Sequence, residues 1–237
     1  MTLIRHSAAT HTGKVRRINE DSILSLPDQR IWVVADGMGG HAAGDFASQT
    51  VIESIAALPE GPSPGDTMQG LRKAILRAHD TIRAESDRRG GATVGATVVA
   101  LMLANGHFVA FWAGDSRLYR FRAGGIELLT TDHSVVADLV TSGQMSWDEA
   151  EHHPHSNAIT RAVGVGDTLD LDKIRGEVRS GDRFLICSDG LTKYAGFDTL
   201  RRAVTDAPIE TLCDKLLQIA LDGGGGDNIS VIVIDVV

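Results

Sequence analysis

The stretch Ile31-Trp32-Val33-Val34-Ala35 runs without a polar residue into Asp36-Gly37-Met38-Gly39-Gly40-His41. Five consecutive apolar residues, two of them adjacent valines, predict a buried strand. Such a strand needs cover on its faces, so the chain has to build layers around it. The predicted strand ends on a carboxylate, and Gly37, Gly39 and Gly40 follow at once. Glycine has no Cβ, so the backbone there can bend and come close to an ion or a phosphate. An Asp at the tip of a rigid strand, beside a backbone carbonyl, offers two kinds of hard oxygen donor. Asp-Gly is also an ordinary turn, so the other acidic turns of the chain have to decide.

The segments around this strand alternate between two periods. Ser22 to Leu26 predicts a strand that Pro27-Asp28-Gln29 turns back into Ile31, an antiparallel hairpin. Phe46, Ala47, Val51, Ile55 and Leu58 recur at helical spacing over 43–58, and Met68, Leu71, Ile75, Ala78 and Ile82 repeat the pattern after the Pro- and Gly-rich loop 59–65. The period then changes. Gly95 to Leu103 is almost wholly apolar, Asn105-Gly106 is a hairpin signal, and Phe108 to Ala113 predicts the partner strand. Leu118 to Phe121 and Ile126 to Leu129 form a further hairpin pair around Gly124-Gly125, and strands follow at 174–178, 183–187 and 229–236. Short helices are expected at 135–139 and 147–151, with longer ones at 198–204 and 208–221. Runs of adjacent hairpins predict antiparallel sheet rather than a βαβ series. With no repeat and no clear linker, the reading is one mixed α+β domain over residues 1–237, sheets inside and helices outside.

Composition narrows the function classes. The chain has 237 residues, 43% of them hydrophobic, enough for a sizeable core. Its net charge of -8, from 31 acidic and 23 basic residues, argues against a nucleic-acid binder. The same balance arises when carboxylates are gathered to hold cations, or from a solvated acidic surface. Cys187 and Cys213 make no disulfide framework. The first residues lack the apolar core of a signal peptide, and no stretch approaches the ~18 to 20 apolar residues of a membrane span. A cytoplasmic protein with no membrane association is expected.

Carboxylates recur at the predicted strand ends: Asp36, Asp115 in Gly114-Asp115-Ser116-Arg117, Asp189 in Ser188-Asp189-Gly190, and Asp227 in Gly226-Asp227-Asn228. Asp21 stands just before the first of these strands. Each match alone is better explained by a turn, but four of them, each flanking an apolar strand, are hard to assign to turns alone. If the strand ends converge, the carboxylates repel one another unless cations neutralise them. Carboxylate and carbonyl donors select Mg2+ or Mn2+ over zinc. Two such ions ~3.5–4 Å apart lower the pKa of a water held between them and prepare it for in-line attack on a phosphoryl group. Asp36 is the candidate bridging ligand, with the Gly37 carbonyl as an added donor. A phosphate ester also calls for a planar cation; Arg16 lies within reach of Asp21, though spacing alone does not separate it from a surface arginine such as Arg17.

Arg16-x-x-Asn19-Glu20-Asp21, Asp36-Gly37-Met38-Gly39-Gly40, Gly114-Asp115-Ser116-Arg117, Ser188-Asp189-Gly190 and Gly226-Asp227-Asn228 occur in the order of one family's motifs. By them the chain resembles the bacterial branch of the type 2C (PPM) metal-dependent serine/threonine protein phosphatases, over about residues 13–233. The resemblance implies a four-layer αββα sandwich of two antiparallel sheets flanked by helices. It implies direct metal ligation by Asp36, Asp189, Asp227 and the Gly37 carbonyl, and a water-mediated role for Asp21. Asp115 with Asp189 would form a third metal site beside the two main Mn2+ or Mg2+ ions, and Arg16 would bind phosphate. The eukaryotic general-acid histidine corresponds to Met38 here, which cannot donate a proton; His41 and a metal-bound water remain the alternatives. Residues 133–160 match the family's flap, and His152, His153 and His155 within it read as solvated flap residues rather than zinc ligands. The implied partners are phosphoserine and phosphothreonine proteins, with a cognate Ser/Thr kinase and its targets, acted on by a monomer. A catalytically silent sensor of the same fold and a small-phosphate hydrolase are the rival classes.

Overall fold

The computed structural model describes residues 3–39, 43–59, 63–146, 149, 153–154, 158–205 and 207–237. The first half contains β1 (Ile4–His11), β2 (Asp21–Leu26), β3 (Ile31–Met38), α1 (Ala43–Ala56), α2 (Pro64–Arg88), β4 (Gly95–Ala96), β5 (Val98–Ala104) and β6 (His107–Ala113). The second half contains β7 (Arg117–Arg122), β8 (Gly125–Leu128), α3 (Val135–Thr141), β9 (Asp172–Glu177), β10 (Arg183–Cys187), α4 (Asp189–Thr192), α5 (Phe197–Val204), α6 (Ile209–Asp222) and β11 (Ile229–Val236).

These strands form two antiparallel sheets, ordered β1-β11-β10-β7-β8 and β2-β3-β5-β6-β9, with β4 paired to the end of β3. Side-chain alternation along the strands explains the layering. On β3, Ile31, Val33 and Ala35 pack outward against Val51, Ile55, Leu71 and Ile75 of α1 and α2. Trp32 and Val34 point the other way and meet Ile186, Ile232 and Ile234 of the second sheet. On β11, Ile229, Val231 and Val233 pack against Leu212 and Leu216 of α6. Every residue of β3 from Ile31 to Ala35 is fully buried, as an unbroken apolar run demands. The result is the expected αββα sandwich, with three hydrophobic layers between four structural ones.

Two local differences from the sequence reading bear on function. β1 pairs with β11 along its whole length, from Ile4 opposite Val236 to His11 opposite Ile229. Its mixed pattern of Arg5, His6, Ser7 and Thr10 carries no strand periodicity, because it is the edge strand of its sheet. β3 does not stop at Ala35: Gly37 and Met38 continue it by pairing with Ala96 and Gly95. The glycine after Asp36 therefore serves close packing rather than a turn, since a Cβ on Gly37 would stand 2.0 Å from the Gly44 carbonyl oxygen at the start of α1. The predicted helix at 147–151 lies largely outside the described residues.

The inter-sheet layer carries the sandwich, so truncating it is costly. Ile232→Ala is expected to lower stability by about 2–5 kcal/mol, read as a lower urea midpoint with an unchanged denaturant slope.

Candidate metal centre

Strand register brings two of the expected acidic residues face to face. Asp21, the first residue of β2, pairs directly with Asp36 of β3. Asp36 lies on the same face as Trp32 and Val34, so both carboxylates belong to the inter-sheet face, at the end where that layer opens. The other sheet contributes from the opposite side. β10 ends at Cys187, and the next residue, Ser188, donates its hydroxyl to Asp21 Oδ2 at 2.8 Å. The Ser188 oxygen in turn accepts the Ser230 backbone N–H at 3.0 Å. One carboxylate of the first sheet is thus held by two strands of the second. Asp189 opens α4, Asp115 precedes β7, and Asp227 precedes β11, all at the same end of the sandwich. Asp189 therefore stands at the start of a short helix that the sequence reading does not include.

Burial and mutual repulsion set the charge state of this cluster. Asp21 and Asp115 are 6% and 8% exposed. Burial pushes the Asp21 carboxyl up to about 6, against hydrogen bonds from Ser188 and Ser230 that favour its charged form. Burial, then the charges of Asp189 and Asp132, pushes Asp115 up to about 7. Asp36 lies well above the usual carboxylate range, from burial first and then from Asp21, Asp189, Asp115 and Asp227. Asp227 goes the other way: burial would raise it, but Lys193 and Arg16 together hold it low. The Oδ1 atoms of Asp21, Asp115 and Asp189 are buried and accept no hydrogen bond among the described residues. Orphaned acceptors of this kind are costly unless something positive meets them. Among the described residues no three acidic, histidine or cysteine side chains close into a finished metal cage. The fit to a hard divalent ion therefore rests on those orphaned carboxylate oxygens and on the all-oxygen donor set.

Arg16 reaches this cluster from the loop between β1 and β2. Its Nε lies 2.9 Å from Asp227 Oδ1 and its Nη2 donates to Asp227 Oδ2 at 3.1 Å. Asn228, which sequence reasoning passed over, holds that loop in place. Its Oδ1 accepts the Glu20 N–H at 2.8 Å, and its Nδ2 donates to the carbonyls of Thr12 and Ile18 at 2.8 and 3.0 Å. Its place beside Asp227 in the motif Gly226-Asp227-Asn228 was the available signal. Thr97 does similar work for Asp36. It accepts the Asp36 N–H on Oγ1 at 3.0 Å, returns its own N–H to the Asp36 carbonyl at 2.8 Å, and meets Ser116 Oγ at 2.7 Å. His133 locks the Asp115 loop: Nδ1 accepts the Gly114 N–H at 3.1 Å, and the His133 N–H donates to the Gly114 carbonyl. Gly114 has φ +108, a conformation that side chains rarely adopt, and a Cβ there would stand 2.6 Å from Thr97. Neither Thr97 nor His133 carries a sequence signal, because their roles exist only once distant strands meet.

The remaining expectations divide by location. His41, His152 and His155 lie outside the described residues. Cavities of about 350 and 280 Å3 lie elsewhere, at the other end of the sandwich, lined by residues such as Arg122, Arg183 and Val237 in one and Arg30, His107 and Val237 in the other. The acidic end is instead an open rim, with the side chains of Arg16, Lys193 and Asp227 at 52%, 31% and 22% exposure.

Two outcomes follow from these contacts. In the unfolded chain the carboxyls lose their protons near pH 4, whereas folded Asp21 and Asp115 keep theirs to about 6 and 7. The folded state binds more protons across that window, so in EDTA stability falls as pH rises through it. Asp36→Asn should therefore melt above the parent chain in EDTA at pH 8, the gap closing toward pH 5; a constant gap would contradict the charge assignment. Asn228→Ala should cost about 1–3 kcal/mol in denaturant titrations, because the carbonyls of Thr12 and Ile18 lose their donor.

Comparison with known proteins agrees with this fold. The profile of the Protein phosphatase 2C family matches residues 11–222. The chain is 36% identical over 239 residues to the serine/threonine protein phosphatase PstP of Mycobacterium tuberculosis, covering 99% of this chain and 45% of PstP. It is 32% identical to the serine/threonine phosphatase stp of Listeria monocytogenes, over 95% of this chain and 93% of that one. Among solved structures, the PstP catalytic domain in complex with 2 manganese ions superposes with a TM-score of 0.90 at 34% identity, covering all of both chains. PppA, a regulatory component of the T6SS in Pseudomonas aeruginosa, does so at 0.92 with 38% identity, over 99% of this chain and 98% of that one. The chain thus spans under half the length of full PstP and nearly all of the Listeria protein. On motifs, fold and family match together, the chain belongs to the protein phosphatase 2C family.

Proposed function

We propose that this protein hydrolyses phosphoserine and phosphothreonine in proteins at a Mn2+ or Mg2+ centre, reversing the action of a bacterial Ser/Thr kinase. The observation that carries the reading is the gathering of Asp21, Asp36, Asp115, Asp189 and Asp227 at one open end of the sandwich, with buried oxygens that lack donors. Asp36, Asp189, Asp227 and the Gly37 carbonyl would hold two ions, Asp21 would contribute through water, and Asp115 with Asp189 would serve a third. When bound, such ions activate water for in-line attack and screen the charge of the phosphoryl group. Arg16 orients the substrate. Its Nε–Nη2 edge lies against Asp227, which leaves the Nη1 edge to meet a phosphoryl oxygen.

The openness of the rim favours a phosphate carried on a protein over a nucleotide, which sites usually enclose. The flap, residues 133–160 of a single domain over 1–237, contributes to that choice. Its two stems meet at the bridge between Ser134 and Ile159, and His133 ties its base to Gly114. A manganese-bound PstP catalytic domain of the same fold supports the choice of ion. With two cysteines that make no disulfide framework, we assign a monomer acting in the cytoplasm; separately, no helix among the described residues is long and apolar enough to cross a membrane.

The test is phosphate release from a phosphothreonine peptide. Activity should require Mn2+ or Mg2+ and vanish in EDTA; turnover that survives chelation overturns the reading. Asp36→Ala should abolish turnover on the peptide and on p-nitrophenyl phosphate alike, which also separates an enzyme from a silent sensor. Arg16→Ala should raise KM by about 10- to 100-fold, with a smaller change in kcat.

A further inference from the structure

Lys193 is the first residue past α4, and its ammonium lies between two of the acidic side chains. Nζ is 2.8 Å from Asp189 Oδ2 and 3.0 Å from Asp227 Oδ2. The backbone delivers it there. Lys193 N–H donates to the Asp189 carbonyl at 2.9 Å, which closes a helical turn and sets the two side chains on one face. The turn itself has no slack. Gly190 packs so closely on the start of β11 that a Cβ would stand 1.9 Å from the Asn228 carbonyl oxygen. Leu191 is fully buried, and the Tyr194 hydroxyl accepts the Gly226 N–H at 3.1 Å. The lysine stem is therefore rooted in rigid structure on both sides, and only its flexible end is free to swing.

The acidic cluster divides accordingly. At the rim, both oxygens of Asp227 face cations, Arg16 and Lys193, and Asp189 shares the second of them. Deeper in, Asp21, Asp36 and Asp115 form no ion pair among the described residues. Among the described residues no cation pairs directly with this deeper trio, whereas Arg16 and Lys193 pair with the carboxylates of the rim. An ammonium is a compact point charge with three donors on a flexible stem. It seeks the same carboxylate oxygens as a hard divalent ion. Both cannot contact Asp189 Oδ2 and Asp227 Oδ2 at full strength.

We infer that Lys193 is a tethered counter-ion: it holds Asp189 and Asp227 together when divalent ions are scarce, and it gives those oxygens up as ions bind, which sets the metal affinity of the site. Lys193 is on this account a positioning residue, and the inference rests on the reading of Asp189 and Asp227 as ion ligands. A residue needed only for packing would, on removal, weaken folding and ion binding together. A competing cation separates the two effects, because its loss exposes like charges in the ion-free chain and removes a rival from the loaded one.

The experiment compares the parent chain with Lys193→Met, which keeps the stem and deletes the charge. Mn2+ binding is measured by isothermal titration calorimetry, and melting is followed in EDTA. Lys193→Met should bind Mn2+ about two- to fivefold more tightly, the scale of losing a part-exposed ion pair, and should melt lower in EDTA. Lys193→Gln provides the same reading should the methionine variant fold poorly, and Lys193→Arg should keep the parent's melting point in EDTA. Unchanged or weaker Mn2+ binding in the neutral variants, with the parent binding normally, overturns the inference while leaving the metal centre intact. Absence of Mn2+ binding in the parent chain overturns both.

Discussion

Asp21 and Asp36 stand directly opposite each other on neighbouring strands, on a face that is otherwise hydrophobic. A cross-strand pair of like charges is unfavourable even in water, and more so where burial removes solvent. The Ser188 hydroxyl answers one oxygen of Asp21, and Thr97 fixes the backbone on which Asp36 rides. The remaining deficit is what makes this end of the molecule a candidate place for cations. The rest of the sandwich, with its three layers of aliphatic packing, supplies the rigidity that keeps two repelling groups from moving apart.

That rigidity has a cost in stability, which the charge states record. Asp21, Asp36 and Asp115 all bind their protons more tightly than free carboxyls do, so the folded chain at neutral pH carries unfavourable electrostatics at its acidic end. Local destabilisation of this kind is common at functional sites and is offset by packing elsewhere. The offset here is visible in Ile31 to Ala35 of β3 and in the whole of β11, buried runs whose side chains fill the layers on both of their faces. Asp189 and Asp227 follow a different logic. They lie nearer solvent and are paired with Arg16 and Lys193, so the rim is close to neutral while the depth is not.

Connections between the sheets determine how accurately the site is assembled. Asn228 joins the β1–β2 loop to the strand after Asp227, and Ser188 joins β10 to β2. His133 joins the base of the 133–160 segment to the Asp115 loop, its ring stacked at 4° on Trp112 with centroids 6.1 Å apart. Each contact links residues far apart in the chain, so the acidic end is set by tertiary closure rather than by any local turn.

Much of this was legible in the residues alone. The unbroken apolar run before Asp36, the hairpin signals at Pro27 and Asn105-Gly106, and the helical stripes of α1, α2 and α6 all reflect periodicities that backbone geometry imposes locally. The acidic motifs were legible too, because aspartate beside glycine at a strand end marks a recognisable local chemistry. Three features were not. β1 lies at a sheet edge, where alternation is weak, so its pattern of Arg5, His6 and Ser7 gives no strand signal. Gly37 reads as a turn, yet it continues β3, because what requires it is the approach of Gly44 from another element. Lys193 falls in no motif of the sequence reading; only the meeting of α4 with the start of β11 sets its ammonium between Asp189 and Asp227. Local propensity and motif chemistry are properties of neighbouring residues and survive in a string of letters. Distances between side chains brought together by different strands are not, and those distances decide which carboxylates pair directly with Arg16 and Lys193.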